Sequence, residues 1–296
     1  MEIHRVKYFL EVARWSSFSK AAQVCHISQP SLSQQIKKLE DEVGGQLILR
    51  SRDGTRLSEL GGRFLPYARS IIDSVDSARS FIDESSQRVT GRVKIGGIPT
   101  IAPYLMPHMI QHVRSSFPDI QYELVEDTTD VLISKLRQGD IDFALISPPT
   151  KIDQDVDYIT LSEDELLLTL PLDHPLNKES KFSVNELKNE KLLLLKEAHC
   201  LSEQSKVFCR SSNLAPEISF KSTQIDTLIG LVELGLGFTF TPKMAVSRHS
   251  GRRVKFHSVS PDPYIREVRL VWMNRHIPST TQLAFLDCTK TFNFVP

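Results

Sequence analysis

The sequence predicts a multi-domain protein whose N-terminal part is mainly helical and whose C-terminal part alternates strands with helices. Over residues 1–58, apolar side chains recur at helical spacing in short clusters. Over residues 58–87, they recur three and four positions apart for about seven turns, which is typical of one long amphipathic helix. Strand and helix patterns alternate beyond residue 91. We therefore expect a compact head at 1–58, a linker helix at 59–90 and an α/β domain at 91–296.

The head contains the pattern of two helices and a hairpin. Residues 18–40 read as helix, turn and helix, with the small side chains of Ala21 and Ala22 allowing the helices to approach closely. Asp53 and Gly54 form a turn signal between short extended flanks, which indicates a β-hairpin. This order predicts a winged helix-turn-helix.

The second helix of this motif is predicted to read DNA. Ser28 can cap it and Pro30 fits its first turn. Short polar and amide side chains near a helix N-terminus contact base edges in the major groove, and nearby basic side chains hold phosphates. A solvated polar helix face is the alternative. The predicted DNA-contacting residues are Ser28, Gln29, Pro30, Ser31, Ser33, Gln34, Lys37, Lys38, Arg50, Arg52 and Arg56.

The linker pattern has Pro66 inside it and an apolar stripe that a lone helix cannot bury. A partner helix, most simply from a second copy of the chain, would cover this stripe. Packing on the chain's own domain is the alternative. The apolar positions are Leu60, Phe64, Leu65, Ala68, Ile71, Ile72, Val75, Ala78, Phe81 and Ile82.

The C-terminal part has the order of elements expected of an α/β domain. Strands are predicted at 93–95, 121–125, 143–146, 166–170, 192–195, 238–241 and 268–272. Helices are predicted at 103–117, 132–137, 184–188, 203–209, 225–234 and 281–291.

Composition limits the class of protein. The chain is 40% hydrophobic and 24% charged, and it has no apolar run near the ~20 residues of a membrane span, so we expect no membrane partner. Basic and acidic residues balance at 36 each, so any DNA affinity must come from a local patch. No secretory signal is visible, which favours the cytoplasm. No metal-ligand cluster, phosphate loop or serine nucleophile motif is evident. We therefore expect the protein to bind no metal or cofactor and not to be an enzyme.

Two cysteines, Cys200 and Cys209, lie nine positions apart. If the segment between them is helical, their Cα atoms are about 13 Å apart, whereas a disulfide needs roughly 4.4 to 6.8 Å. Joining them requires local refolding, as a redox switch does. A sensor cysteine must be a thiolate, which His199 or a helix N-terminus can stabilise. Two buried structural cysteines are the alternative, and a structural role is predicted for Cys25 and Cys288.

The head resembles the signature of the LysR-type transcriptional regulators. The matching positions are 21–22 and 28–33, then Gln35, Ile36, Leu39, Glu40, Gly44, Leu47, Arg50, Leu57 and Ser58. The order of head, linker helix and sensor also matches, so the resemblance covers essentially the whole chain. It implies binding to promoter DNA, dimers or tetramers formed through the linker helix and the sensor domains, and contact with RNA polymerase. It also implies a periplasmic-binding-protein-like sensor of two lobes, lobe I at about 91–161 and 267–296 and lobe II at about 162–266.

The sensor resembles the OxyR-like, hydrogen peroxide-sensing branch of that family. The branch has a His-Cys-Leu motif, a Gln four residues after the Cys and a Phe-Cys ending nine after it, and residues 199–209 contain all of these. Ala198 replaces the usual Gly. The resemblance implies that Cys200 is the peroxidatic thiol, Cys209 the resolving thiol, and a disulfide between them the product. The implied ligand-binding residues are Thr100, Thr129, His199 and Arg266.

Other interpretations of these residues stay open. Thr100 and Thr129 each precede a predicted helix and can serve as caps, and Arg266 can form a surface salt bridge. A LysR-type regulator can instead bind a small metabolite between its lobes, with the cysteines incidental. An enzyme or solute-binding protein built on the same lobes is disfavoured by the DNA-binding head.

Overall fold

The computed structural model describes residues 1–51, 54–83, 88–147, 154–178, 184–196, 199–259, 263–274 and 278–294. Three residues named in the sequence-based predictions do not lie in these ranges. They are Arg52 as a DNA contact, Asp53 in the hairpin turn and Ala198 beside the His-Cys-Leu motif, and they lie outside the described residues.

Three helices and a hairpin form the head. The helices are α1 (Ile3–Trp15), α2 (Phe18–Val24) and α3 (Gln29–Val43), and the hairpin pairs β1 (Ile48–Ser51) with β2 (Gly54–Leu57) in antiparallel register. Phe9, Leu32 and Leu39 are fully buried in one core that includes residues of all three helices. This is the predicted winged helix-turn-helix, and the predicted fold class is confirmed.

The ends of α3 follow from the residues found there. The Ser28 side chain accepts a hydrogen bond from the Ser31 N–H, and Pro30 lies in the first turn, where a missing N–H costs no intrahelical bond. At the other end, Gly44 has φ 82°, a left-handed conformation that glycine adopts without a Cβ clash. The helix that carries the predicted DNA contacts therefore has caps at both ends.

The linker is a 25-residue helix, α4 (Glu59–Asp83), with Pro66 inside it. In its first half, Leu65 and Ala68 are buried against the core of the head. Packing on the chain's own domain is therefore observed for this half, and coverage of the rest by a second copy stays a prediction. Neither α4 nor any other helix of the described residues is both long enough and apolar enough to cross a membrane.

Beyond α4, the chain alternates strands and helices in the predicted α/β order. The first half of this part contains β3 (Gly91–Gly97), α5 (Ala102–Ser116), β4 (Ile120–Glu126), α6 (Thr129–Gln138) and β5 (Phe143–Ile146). The second half contains β6 (Val156–Pro171), β7 (Lys191–Leu195), α7 (Cys200–Ser211), β8 (Glu217–Ser222), α8 (Ile225–Glu233), β9 (Thr239–Pro242), α9 (Lys243–Val246), β10 (Val254–His257), β11 (Ile265–Met273) and α10 (Thr280–Lys290). Short 3₁₀ helices span Pro175–Lys178, Val184–Leu187 and Ser247–His249.

The strands divide between two lobes. In lobe I, β3 pairs in parallel with β4 and β5, and β11 pairs antiparallel with β5. In lobe II, β9 and β10 pair antiparallel with the second half of β6, while β7 and β8 form a parallel pair. The first half of β6 pairs antiparallel with β11, and Asp164 lies directly opposite Arg266 in this register. These two strands therefore connect the lobes.

The structure differs from the predicted elements at several points. β6 begins at Val156, well before the predicted start at 166. The sequence pattern missed its first half because much of that half is exposed and includes Glu163 and Asp164, residue types that are depleted in strands. The side chains of β8 are exposed except for Ser222, so no alternation marks that strand. β10 and α9 are too short to give a periodic signal. The helix predicted at 184–188 is the 3₁₀ helix Val184–Leu187.

Candidate functional site

Cys200 is the first residue of α7, and Thr129 is the first residue of α6. The Cys200 Sγ lies 2.8 Å from the Thr129 Oγ1, and either atom can be the donor. The N-terminus of a helix has a partial positive charge. Two such ends, one from each lobe, therefore meet at the sulfur and favour a negative charge there.

A second polar group is almost fully buried, and its positive charge acts on Cys200. The Arg266 guanidinium is 1% exposed and pairs with Asp164, which is 0% exposed, at 2.9 Å from Nη2 to Oδ2. Nη1 donates to the Thr100 Oγ1 at 3.1 Å, and Nη2 donates to the Thr100 carbonyl oxygen at 3.0 Å. The structure thus joins two of the predicted ligand-binding residues, Thr100 and Arg266, through hydrogen bonds.

The alternative interpretations of these three residues are wrong. The residue that caps α5 is Ile101, and that of α6 is Thr128, so neither Thr100 nor Thr129 occupies a capping position. The Thr129 hydroxyl contacts sulfur instead. Arg266 forms a buried ion pair with Asp164, not a surface salt bridge.

His199 is the N-cap residue of α7 and is 9% exposed. Burial lowers the pKa of its imidazole, and the nearby positive charge of Lys196 lowers it further. His199 is therefore neutral at pH 7, and it cannot supply the positive charge that the sequence analysis considered for stabilising a thiolate. Its ring remains able to donate or accept a hydrogen bond.

The protonation of Cys200 reflects opposing effects. Burial raises the pKa of its thiol, while the hydrogen bond with Thr129 and the positive charge of Arg266 lower it, and the net shift is upward. Burial therefore outweighs the groups that favour a thiolate, and the expected stabilisation of a negative charge on this sulfur is opposed by desolvation. Cys200 is a thiol whose surroundings include two groups that favour its ionised form.

Cys209 lies on the opposite side of α7 from Cys200. Nine positions at 100° each amount to two and a half turns, and they separate the two Cα atoms by about 13 Å along the axis. Cys209 packs with Phe208 and Phe238 in a core of lobe II, and burial raises the pKa of its thiol to about 11. Both cysteines are free thiols. A bond between them therefore requires α7 to unwind.

Three further polar side chains near Cys200 were not assigned by the sequence analysis. The Gln204 Nε2 donates to the Ser147 Oγ at 3.0 Å, linking α7 to the end of β5. The Gln204 Oε1 and the Ser202 Oγ are buried without a hydrogen-bond partner among the described residues. The motif spacing marked Gln204 but gave it no role. No comparable signal singled out Ser147, whose position depends on the tertiary fold.

The predicted DNA-contacting residues lie around α3 and the hairpin. Most of those described are exposed, and Ser31 and Ser33 are half-buried. The Arg50 guanidinium lies 4.2 Å from the ring centroid of Phe18 and donates to the Ser33 Oγ at 2.5 Å. Arg50 is therefore held beside α3 by contacts within the head. The described residues contain no cluster of three or more His, Cys, Asp or Glu that could hold a metal ion.

The two remaining cysteines, Cys25 and Cys288, lie away from the site around Cys200. Cys25 is the C-cap residue of α2, and Cys288 is on α10. Both are half-buried free thiols. Their predicted structural role stays a prediction.

The fold and these sites define a class of protein: a DNA-binding regulator with a helix-turn-helix head and a two-lobed sensor. Residues 3–62 match the model of bacterial regulatory helix-turn-helix proteins of the lysR family, and residues 86–292 match that of the LysR substrate binding domain. The chain belongs to the LysR family of transcriptional regulators. It is a regulator and not an enzyme, as the sequence predicts.

Two relatives have descriptions that bear on the sensor. The hydrogen peroxide-inducible genes activator of Haemophilus influenzae is 31% identical over 274 residues, which cover 92% of this chain and 90% of that protein. The DNA-binding transcriptional dual regulator OxyR of Escherichia coli is 31% identical over 274 residues, which cover 92% and 89%.

Solved structures of similar proteins share the whole architecture. A full-length OxyR variant from Pseudomonas aeruginosa, with aspartate in place of a cysteine, matches with a TM-score of 0.78 and 28% identity, covering 98% of this chain and 95% of that one. A cysteine mutant of Corynebacterium glutamicum OxyR with hydrogen peroxide bound matches with a TM-score of 0.63 and 30% identity, covering 98% and 92%.

Proposed function

We propose that this LysR-family regulator senses hydrogen peroxide through Cys200 and responds by forming a Cys200–Cys209 disulfide. The observation that carries the proposal is the 2.8 Å contact between Cys200 and Thr129, at the point where two helix N-termini meet. Arg266 adds a positive charge, and the relatives named for hydrogen peroxide support the choice of oxidant.

The chemistry has two steps. The Cys200 sulfur attacks one peroxide oxygen, an S–O bond forms as the O–O bond breaks, and the departing hydroxide takes the thiol proton to leave as water. The Cys209 sulfur then attacks the sulfenic sulfur, an S–S bond forms as the S–O bond breaks, and a second water leaves. Two thiols lose two electrons, and one peroxide becomes two waters.

The ligand-binding roles follow from the hydrogen-bonding capacity of each group. Thr129 contacts the sulfur directly, Thr100 presents a hydroxyl held by Arg266, and neutral His199 adds a ring nitrogen. These groups are small donors and acceptors suited to a molecule of two oxygen atoms.

The output is a change in DNA binding. Because Cys200 and Cys209 face opposite sides of α7, disulfide formation unwinds that helix, disturbs its packing in lobe II and resets subunit contacts. We assign DNA binding to the head at 1–58, dimerisation to 59–90 and sensing to 91–296. We further propose a tetramer that acts on promoter DNA together with RNA polymerase in the cytoplasm.

Mass-spectrometric mapping tests the proposal. Reduced protein receives a brief stoichiometric pulse of hydrogen peroxide and is mapped without reduction, beside Cys200→Ser and, as a matched control, Cys288→Ser. We expect a Cys200–Cys209 bond in the wild type and in Cys288→Ser and none in Cys200→Ser. Two free thiols in the treated wild type would show the mechanism to be wrong, and reversible ligand binding independent of thiols would favour a metabolite sensor.

A further inference from the structure

Asp164 is a buried carboxylate whose two oxygens are both engaged. The Arg266 Nε and Nη2 reach its Oδ2 at 3.0 and 2.9 Å, from the directly opposite position on β11. Its Oδ1 accepts the Met244 N–H at 3.0 Å. Asp164 is thus fixed by a neighbouring strand and by α9, and it fixes one edge of the guanidinium in turn.

The other edge of the guanidinium faces Thr100. Nη1 donates to the Thr100 hydroxyl and Nη2 to the Thr100 carbonyl oxygen, at 3.1 and 3.0 Å. A guanidinium only donates hydrogen bonds, so the Thr100 hydroxyl accepts here and its own proton points elsewhere. The orientation of Arg266 therefore determines which groups the Thr100 hydroxyl can donate to.

We propose that Asp164 is a positioning residue of the sensing site: it orients Arg266 so that the Thr100 hydroxyl donates its proton into the space beside Cys200. Asp164 acts through Arg266. The positive charge of Arg266 lowers the pKa of Cys200. This role rests on the proposed function in one respect: Cys200 is the thiol whose reaction the positioning of Arg266 and Thr100 assists.

The first experiment measures the ionisation of Cys200 without peroxide. In full-length protein with Cys25, Cys209 and Cys288 replaced by serine, iodoacetamide alkylation against pH reports the Cys200 thiolate. We expect Asp164→Asn to move the midpoint upward by about one pH unit, a roughly tenfold slower reaction at pH 7. An unchanged midpoint overturns the proposal. A downward shift also overturns it, because Asp164 would then act only as a countercharge.

The second experiment tests the route through Thr100. The rate of peroxide oxidation of Cys200 is compared in Asp164→Asn, Thr100→Val and the double variant. After each rate is divided by the thiolate fraction from the alkylation profile, we expect Asp164→Asn to slow the reaction about tenfold alone and less than about twofold in the Thr100→Val background, because coupled residues are not additive. A full tenfold effect in both backgrounds overturns the route.

Two further variants keep the result interpretable. Asp164→Glu retains the charge but moves the carboxylate by one methylene, so it tests position even if Asp164→Asn fails to fold. We expect the same upward shift of the alkylation midpoint, and a wild-type midpoint in folded Asp164→Glu overturns the proposal. Asp157→Asn, at an exposed position of the same strand, is the matched control. If wild-type Cys200 resists peroxide while the alkylation effect holds, the proposed function fails and the positioning role stands.

Discussion

The Cys200 Sγ and the Thr129 Oγ1 are 2.8 Å apart although 71 positions separate the residues in the chain. Because α6 and α7 belong to different lobes, this contact exists only while the lobes hold their present arrangement. Among the effects that oppose burial, the hydrogen bond between Thr129 and Cys200 lowers the pKa of Cys200 most, ahead of the charge of Arg266. The reactivity of the sulfur is therefore coupled to the arrangement of the lobes.

Replacing Thr129 by valine removes this hydrogen bond and keeps the shape of the side chain. The pKa of Cys200 is already raised by burial, and we expect it to rise by about one further unit, which slows alkylation at pH 7 roughly tenfold. The measurement is the pH profile of alkylation in protein whose only thiol is Cys200.

Two controls bracket that variant. Thr129→Ser keeps the hydroxyl and should retain most of the reactivity. Thr128→Val changes the neighbouring N-cap residue, whose side chain forms no capping hydrogen bond, and should leave the profile unchanged. Equal profiles for Thr129→Val and the wild type would contradict a role for the contact.

We expect oxidation to reduce the helical content of α7. The two cysteines lie on opposite sides of the 12-residue helix, so the bond cannot form while the segment between them is helical. We expect the far-ultraviolet circular dichroism of the wild type to lose the signal of roughly ten helical residues on treatment with peroxide, whereas Cys209→Ser keeps its signal. A full disulfide yield with an unchanged spectrum would contradict this account.

Much of the fold is predictable from local patterns. The helices α3 and α4 and the strand β5 have strong periodicity or capping residues, and the structure has them close to the predicted positions. The strand β8 is exposed along most of its length, and β10 is too short for a pattern, so only pairing across the sheet defines them. Elements stabilised by tertiary contacts therefore escaped prediction.

The candidate site, like the fold, was only partly predictable from the sequence. The spacing of Cys200 and Cys209 and the resemblance to a family pattern predict which residues are important. They do not predict that Asp164 faces Arg266, because that pairing depends on the register between two strands about a hundred positions apart. Nor do they predict the raised pKa of Cys200, which results from burial in the folded chain.

Cys209 should make the stability of the protein depend on alkaline pH. Burial raises the pKa of its thiol to about 11 from the ordinary value of 9.0, so the folded state holds this proton more tightly than the unfolded state. The resulting stabilisation is fully present below about pH 9 and is lost as the pH rises through about 11. We expect Cys209→Ala to be about 1 kcal/mol less stable than the wild type at pH 7.

That difference should shrink, pass through zero and change sign as the pH rises, because a pKa two units higher in the folded state is worth about 2.7 kcal/mol. Urea unfolding at about pH 8.5 and about pH 10.5 gives the free energy of unfolding of both proteins across this window. Other groups titrate in both proteins, so their contributions cancel in the comparison. A difference that stays constant would mean that Cys209 is not held as a thiol in the folded state.

Lys37 and Gln34 are exposed three positions apart on α3, and we expect them to contribute differently to DNA binding. Lys37→Ala should weaken binding to all sequences and reduce the slope of log affinity against log salt by about 1, because one phosphate contact is lost.

Gln34→Ala should lose about 1–3 kcal/mol of binding free energy on the preferred site alone, because an amide reads base edges. Titration of a selected promoter fragment and a scrambled fragment separates the two effects. Lys243→Ala, which removes an exposed lysine of the sensor domain, is the matched control. Equal losses on both fragments for Gln34→Ala would show that its side chain does not read sequence.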